Sequence, residues 1–273
     1  MNLLNRVFSF YVFSNIHVAL SASALVLLTL DRYSVDNSLT SLFVFCSTVL
    51  AYNFIREIEM ERTYPLLANW IRSSSKPLFL LNLLSALGLL YALFKLRLSD
   101  ILFVAPFFLL TLFYVYPGTK NFKGLRSFPG LKLFVISTVW AGVTVLFPLV
   151  ANDLVIQRQE WIVFVQRFLI VLAITIPFDI RDMQLDKIEL ATLPQSLGIR
   201  PSKWVATAGL AAFALLFFVS GYFDPAERII GIVIASLSAV LVLKAGIYQD
   251  RYYSAFWVES VPILWYLLTF LIT

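Results

Sequence analysis

The sequence predicts an all-α integral membrane protein with about nine transmembrane helices, and three observations lead there. Sixty per cent of the 273 residues are apolar, 14% are charged and the mean hydropathy is +0.85, whereas a soluble domain is about 45–50% apolar and ~25% charged. A soluble surface cannot hide that excess, so lipid is the expected solvent. The apolar residues also fall into runs long enough to cross ~30 Å of hydrocarbon at ~1.5 Å per residue. Finally, the cations collect on one side of the membrane when those runs are threaded through it in order.

The runs lie near 9–30, 39–57, 77–96, 100–116, 131–151, 161–180, 203–222, 228–247 and 253–272. The first, from about Phe8 to Leu30, is too long for a signal-peptide core and lacks a small-residue cleavage site, so it reads as a retained span. Leu98-Ser99-Asp100 and Phe223 to Glu227 are short polar links that require tight antiparallel hairpins. With the N-terminus in the cytoplasm, 15 Lys and Arg residues fall on the inner side and 6 on the outer side. That split obeys the positive-inside rule and would invert if one early span were added or lost. The whole chain, 1–273, reads as a single transmembrane domain, placed in the inner membrane if the chain is bacterial.

Composition also removes function classes. Cys46, alone in an apolar run, forms neither an internal disulfide nor a thiolate metal site. The net charge of +5 is explained by topology, and no basic run is interleaved with stacking aromatics, so nucleic acid is not expected as a partner. A transporter calls for midplane charges and interrupted helices in matching halves; here the charges gather at one face.

Polar chemistry concentrates in three longer inner links, Ile58 to Lys76, Pro117 to Gly130 and Arg181 to Ser202, and loops of that kind carry function disproportionately. At the end of the sixth run, Asp179, Asp182 and Asp186 recur at spacings of three and four, on one helical face. Carboxylates packed that closely repel unless a cation sits among them. Mg²⁺ suits such a site, because it takes one or two carboxylates and completes its octahedron with water and substrate phosphate. An ordinary charged helix end, with Arg181 and Lys187 neutralising the acids, fits the same residues. A second acidic face ends the second run, where Asn53, Glu57 and Glu61 follow at intervals of four, with Arg56 between them. If the two ends meet, they form a carboxylate-lined mouth for a metal-bound diphosphate. The link between the fourth and fifth runs adds Tyr116 and Lys120, then Lys123, Arg126 and Lys132, as cations for a departing diphosphate or as membrane anchors.

Together these features resemble the UbiA superfamily of membrane prenyltransferases. The most specific stretch runs from Asp179 through Asp186 to Thr192-Leu193-Pro194-Gln195-Ser196-Leu197-Gly198, which is similar to that family's second aspartate-rich motif and its trailing element. Tyr116 to Lys120 is similar to its loop motif, and Arg72 to Leu78, with Lys76 where arginine is usual, resembles its entry into the third helix. The resemblance implies a helical bundle around a central cavity open near the cytoplasmic face. It also implies Mg²⁺-dependent transfer of an isoprenyl group from an isoprenyl diphosphate to an aromatic, quinone-like or lipid acceptor in the membrane. Asp179, Asp182, Asp186, Lys120 and Tyr116 are then the catalytic candidates, and Glu57 and Glu61 join the aspartates as metal ligands. Asn53, Arg56, Arg72, Lys76, Arg126 and Arg181 join Lys120 in binding substrate. Phe54 departs from the pattern, standing where the first motif has its first aspartate, and Phe178 replaces the asparagine that opens the second. A UbiA-like isoprenoid or lipid binder without turnover is the alternative.

Within the spans, Glu259 beside Pro262 is a candidate for the acceptor cavity, as an ionisable residue at depth. His17 and Asn15 also offer acceptor contacts, His17 equally reading as a satisfied structural group, and Asn15 is a polar neighbour with which Glu259 can pair. Arg167 is expected to snorkel to the outer interface.

Overall fold

The computed structural model describes residues 3–35, 38–63, 70–71, 73–115, 118–119, 122–123, 130–184 and 192–272. Helices dominate, as lipid requires of backbone that has no water to bond. They are α1 (Leu3–Phe13), α2 (Ile16–Arg32), α3 (Ser38–Thr63), α4 (Ser75–Lys95), α5 (Leu98–Val115), α6 (Leu131–Ala141), α7 (Phe147–Val150), α8 (Arg158–Asp182), α9 (Leu193–Leu197), α10 (Ile199–Val219), α11 (Pro225–Lys244) and α12 (Val261–Ile272). A two-residue antiparallel ribbon, β1 (Gly118–Thr119) and β2 (Phe122–Lys123), pairs Gly118 with Lys123 and is the exception to an all-helical chain.

Among the described residues, seven helical segments are long and apolar enough to cross a membrane, and the bent pair α1 and α2 makes an eighth if it is one span. The apolar part of α5, Leu98–Tyr114, fills the fourth expected place but is shorter than the others. The expected runs are therefore all helical, while the first is broken. α1 and α2 meet at 55°. Asn15 takes a left-handed φ of +68° at the break, a conformation that asparagine adopts more readily than most residues. Two further spans carry one π-helical stretch each, Gly142–Leu146 between α6 and α7 and Tyr253–Val258 before α12.

Packing closes the bundle. α2 packs on α3 and α3 on α4; α6, α8, α10 and α11 pack in succession, α11 meets α12, and α12 returns to α2. The main core lies around α8, with Ile170, Ile176, Ile180, Leu210, Phe213 and Ile234 almost completely buried. α4 presents Phe79, Leu80, Leu83, Leu84, Leu87 and Phe94 outward, an apolar surface that suits acyl chains. Tight turns are capped as the sequence allows: before α11 the Asp224 carboxylate accepts from the Glu227 backbone N–H at 2.8 Å, and Glu227 accepts in turn from the Asp224 N–H at 3.0 Å.

One sequence expectation is corrected. Arg167 does not snorkel, because only 1% of it is exposed. Its Nη1 donates to the Leu25 carbonyl at 2.7 Å, and its guanidinium lies 5.1 Å from the Trp265 ring centre. Oxygens of α2 and of the π-turn are near enough to hold it inside.

Candidate functional site

A group of charged side chains gathers at the C-terminal end of α8. Asp179 is fully buried there. The Lys132 ammonium, on the second residue of α6, lies 2.6 Å from its Oδ1 and keeps 17% of its own side-chain surface accessible. One turn further along α8, Asp182 accepts from Arg181 Nε at 2.7 Å and Nη2 at 2.9 Å, a bidentate pair. Arg181 also lies over the Phe178 ring at 5.2 Å. Asp182 and Asp179 thus each hold a cation drawn from this chain.

Glu259 and Tyr52 face the same region. Glu259 is within electrostatic reach of Arg181 and Arg56, and Tyr52 is within reach of Glu259 and Lys132. Both side chains are half-buried. Trp140 Nε1 donates to the Tyr52 hydroxyl at 3.3 Å. The π-turn before α12 and the turn at Glu259 and Ser260 bring the carboxylate inward, and the Ser21 hydroxyl donates to the Glu259 carbonyl. Pro262 follows at the second residue of α12, consistent with the break expected beside it.

Asn53 and Arg56 support the α1–α2 break. The Asn15 amide donates to Asn53 Oδ1 at 2.7 Å and Asn53 donates to Asn82 Oδ1 at 2.7 Å, a ladder across α2, α3 and α4. Arg56 donates to the Phe13 carbonyl and to Asn15 Oδ1, filling positions that a helix break leaves open. Asn15 therefore pairs with α3 rather than with Glu259. His17 is a satisfied structural group: Tyr11 OH lies 2.7 Å from Nδ1, and Nε2 lies 3.1 Å from both the Phe256 carbonyl and Ser260 Oγ.

Glu57 is exposed and lines a cleft of about 170 Å³ between α3 and α4, with Asn53, Arg56, Ser75, Phe79 and Asn82. The α8 aspartates do not line that cleft. Phe54 lines neither cleft nor ladder and is 55% exposed. Lys76 is exposed in the first turn of α4. Tyr116, Lys120, Arg126, Asp186 and Arg72 lie outside the described residues, as do the side chains of Glu61 and Lys123. The Thr192-to-Gly198 element forms a short capped helix, in which Gln195 accepts from the Thr192 N–H at 3.0 Å and donates back to the Met183 carbonyl at 3.1 Å. It fastens the end of α8.

The oxygens of Asp179 and Asp182 are of the hard type that Mg²⁺ takes, but as arranged they do not fit a resident ion, since a lysine or an arginine holds each one. Among the described residues, no three acidic, histidine or cysteine side chains converge. Sequence reasoning named Lys132, Asn15 and Asn53 but not the pairing of Lys132 with Asp179 or the ladder through Asn82, and it passed over Tyr52. The signal for Lys132 was its place in the first turn of a span, where membrane anchoring explained it equally well.

No protein-family model and no curated protein matches the sequence. The structure is similar to a solved structure of digeranylgeranylglyceryl phosphate synthase, described as acting in membranes, with a TM-score of 0.54 over 96% of this chain and 98% of that one, at 18% identity. The likeness shows the fold, and it is the fold that the sequence resemblance implied.

Proposed function

We propose that this chain transfers an isoprenyl group from an isoprenyl diphosphate to an acceptor held within the membrane, aromatic, quinone-like or lipidic in character. The observation that carries the reading is the charged pole of Asp179, Asp182, Lys132 and Arg181 at the end of α8, in a bundle of apolar helices long enough to cross a membrane. The solved protein with the same fold is named for a synthase of a digeranylgeranylglyceryl phosphate, which supports prenyl transfer to a lipid-like acceptor here.

In this reading the diphosphate rests at the pole and the hydrocarbon tail extends into the bundle. As the allylic carbon–oxygen bond breaks, negative charge grows on the diphosphate, and Arg181, with Lys120 in the undescribed loop, takes it up. The allylic cation is shielded by aromatic faces until the acceptor attacks it, the new bond replacing the broken carbon–oxygen bond and the acceptor's proton passing to the departing diphosphate. Glu259 is positioned on the acceptor side. The cofactor expected from the acidic stripes is Mg²⁺; with Asp179 and Asp182 each occupied by a cation, Asp186 and Glu61 are the carboxylates that would hold it, and it would offset charge on the diphosphate.

The test is incubation of purified protein with isoprenyl diphosphates of differing length, a membrane extract and either Mg²⁺ or EDTA, followed by mass identification of products. Asp182→Ala and Asp186→Ala should abolish transfer while leaving folded protein. Full activity in either variant removes that residue from the mechanism. A second reading, an isoprenoid or lipid binder without turnover, is favoured by the cation already seated on Asp179 and on Asp182. Release of diphosphate on adding acceptor excludes it.

A further inference from the structure

We infer that Lys132 is a tethered cation that takes the place of a divalent ion on Asp179, so that this pole binds an organic diphosphate with no metal at that carboxylate. The inference rests on the isoprenyl diphosphate reading above and concerns how that group is held.

The argument begins with accessibility. Asp179 exposes none of its side chain, whereas Lys132, 2.6 Å from it, keeps 17% accessible. An incoming group therefore meets the ammonium before the carboxylate. For a divalent cation that encounter is repulsive, and reaching Asp179 means displacing a buried ion-pair partner. For a phosphate oxygen the encounter is attractive, and a carboxylate behind the ammonium holds it in one place. Asp182 repeats the arrangement: its bidentate partner Arg181 is 29% accessible against 16% for the acid. Two acids that would otherwise call for a metal thus present nitrogen donors outward. The two cations differ in kind, a point charge and a planar fork, and together they suit the several oxygens of a diphosphate.

Lys132 is fixed in this position by its helix. It is the second residue of α6, which packs along α8 from the same pole, so the side chain crosses between two packed helices and not from a loop. Phe54, outward on α3, adds no carboxylate to recruit a metal from the other helix end.

The experiment measures binding and needs no turnover. Equilibrium binding of a non-hydrolysable isoprenyl thiolodiphosphate to the detergent-solubilised full chain is measured in EDTA and in Mg²⁺, for the wild type, Lys132→Met and Lys132→Arg. Wild type should bind in EDTA with an affinity within about threefold of that in Mg²⁺. Lys132→Met should bind at least about tenfold more weakly in EDTA, the loss of one charge-assisted phosphate contact, while Lys132→Arg should stay within about threefold of wild type. Should Lys132→Met fail to fold, the EDTA result for wild type together with Lys132→Arg still decides the matter. Binding that requires Mg²⁺ in the wild type overturns the inference and leaves the proposed function standing. Absence of binding under both conditions overturns the proposed function as well.

Discussion

Arg167 donates to the Leu25 carbonyl at 2.7 Å from a position nearly sealed off from solvent, about 22 Å along α8 from Asp182 at ~1.5 Å per residue. Thr144 Oγ1 at 3.4 Å and Thr29 Oγ1 at 3.5 Å complete its surroundings, and both are long for hydrogen bonds. Placing arginine at such depth costs about 2.5–3.5 kcal/mol on insertion scales. One good charged hydrogen bond returns about 1.5–3 kcal/mol, and the Trp265 face adds about 1–2 kcal/mol. The terms nearly cancel, so volume should matter more than charge. Arg167→Met is expected to change unfolding free energy by no more than about 1.5 kcal/mol, while Arg167→Ala, which leaves a cavity, should cost about 2–4 kcal/mol. Thermal unfolding in detergent compares the two. Equal losses would show that the charge is what holds the four elements together.

Gly142 opens the π-turn that carries Thr144, and a Cβ there would overlap the Phe107 ring of α5. An aromatic ring packed flat on a helix backbone has little room to retreat. Gly142→Ala is therefore expected to destabilise by about 1–3 kcal/mol through overpacking. A Phe107→Ala partner change should recover part of that loss. Differential scanning of the single and double variants measures the coupling, and simple additivity would place the cost in the π-turn itself.

The broken first span shows where sequence reasoning reached its limit. Hydropathy marks residues 9–30 as one run, because window averages do not register one asparagine at a left-handed φ. The break depends on Asn53, Asn82 and Arg56, which arrive from other helices. The same is true of the site. Asp179, Asp182 and Glu259 were legible as acids at helix ends or at depth, since charge in lipid is conspicuous. Arg181 was legible beside Asp182 as a neutralising neighbour, but the partner of Asp179 was not, because the spacing of three and four along α8 says nothing of the Lys132 that crosses from α6. Arg167 was misread for a related reason: snorkelling is the default only when no oxygens lie within reach, and those oxygens belong to α2 and the π-turn.

Arg56 fills the Phe13 carbonyl at the α1–α2 break. Without it, a C-terminal carbonyl of α1 loses its donor in a setting poor in water, a cost of about 1–3 kcal/mol. α1 is otherwise held by aromatic contacts, with Phe8 against Tyr252 and Phe256, and Phe13 stacked on Tyr252 at 5.4 Å. Arg56→Met should release α1 while the rest of the bundle persists. The expected readout is faster amide hydrogen exchange confined to residues 3–15, with no change across α8. Exchange that rises equally in both would mean that Arg56 stabilises the whole bundle rather than the break.

Phe54 stands where an aspartate would be expected if α3 carried a full acidic motif, and restoring that acid is the obvious way to ask whether the motif matters. Its surroundings argue against an effect. The side chain is 55% exposed and lines neither the α3–α4 cleft nor the asparagine ladder, whereas Asn53 and Arg56 on either side of it turn inward to α2. A carboxylate at position 54 would project into solvent or headgroups, where an exposed charge is screened by water and salt and adds little to a site at the end of α8. Phe54→Asp is therefore expected to change the isoprenyl diphosphate dissociation constant, measured in Mg²⁺ and in EDTA, by less than about twofold, within the ~0.4 kcal/mol that such a ratio represents. About tenfold tighter binding of the variant in Mg²⁺ but not in EDTA would mean that α3 turns on its axis when substrate binds, bringing position 54 to face Asp179. In that case the cleft beside Glu57, and not the Lys132 pole alone, would hold part of the diphosphate.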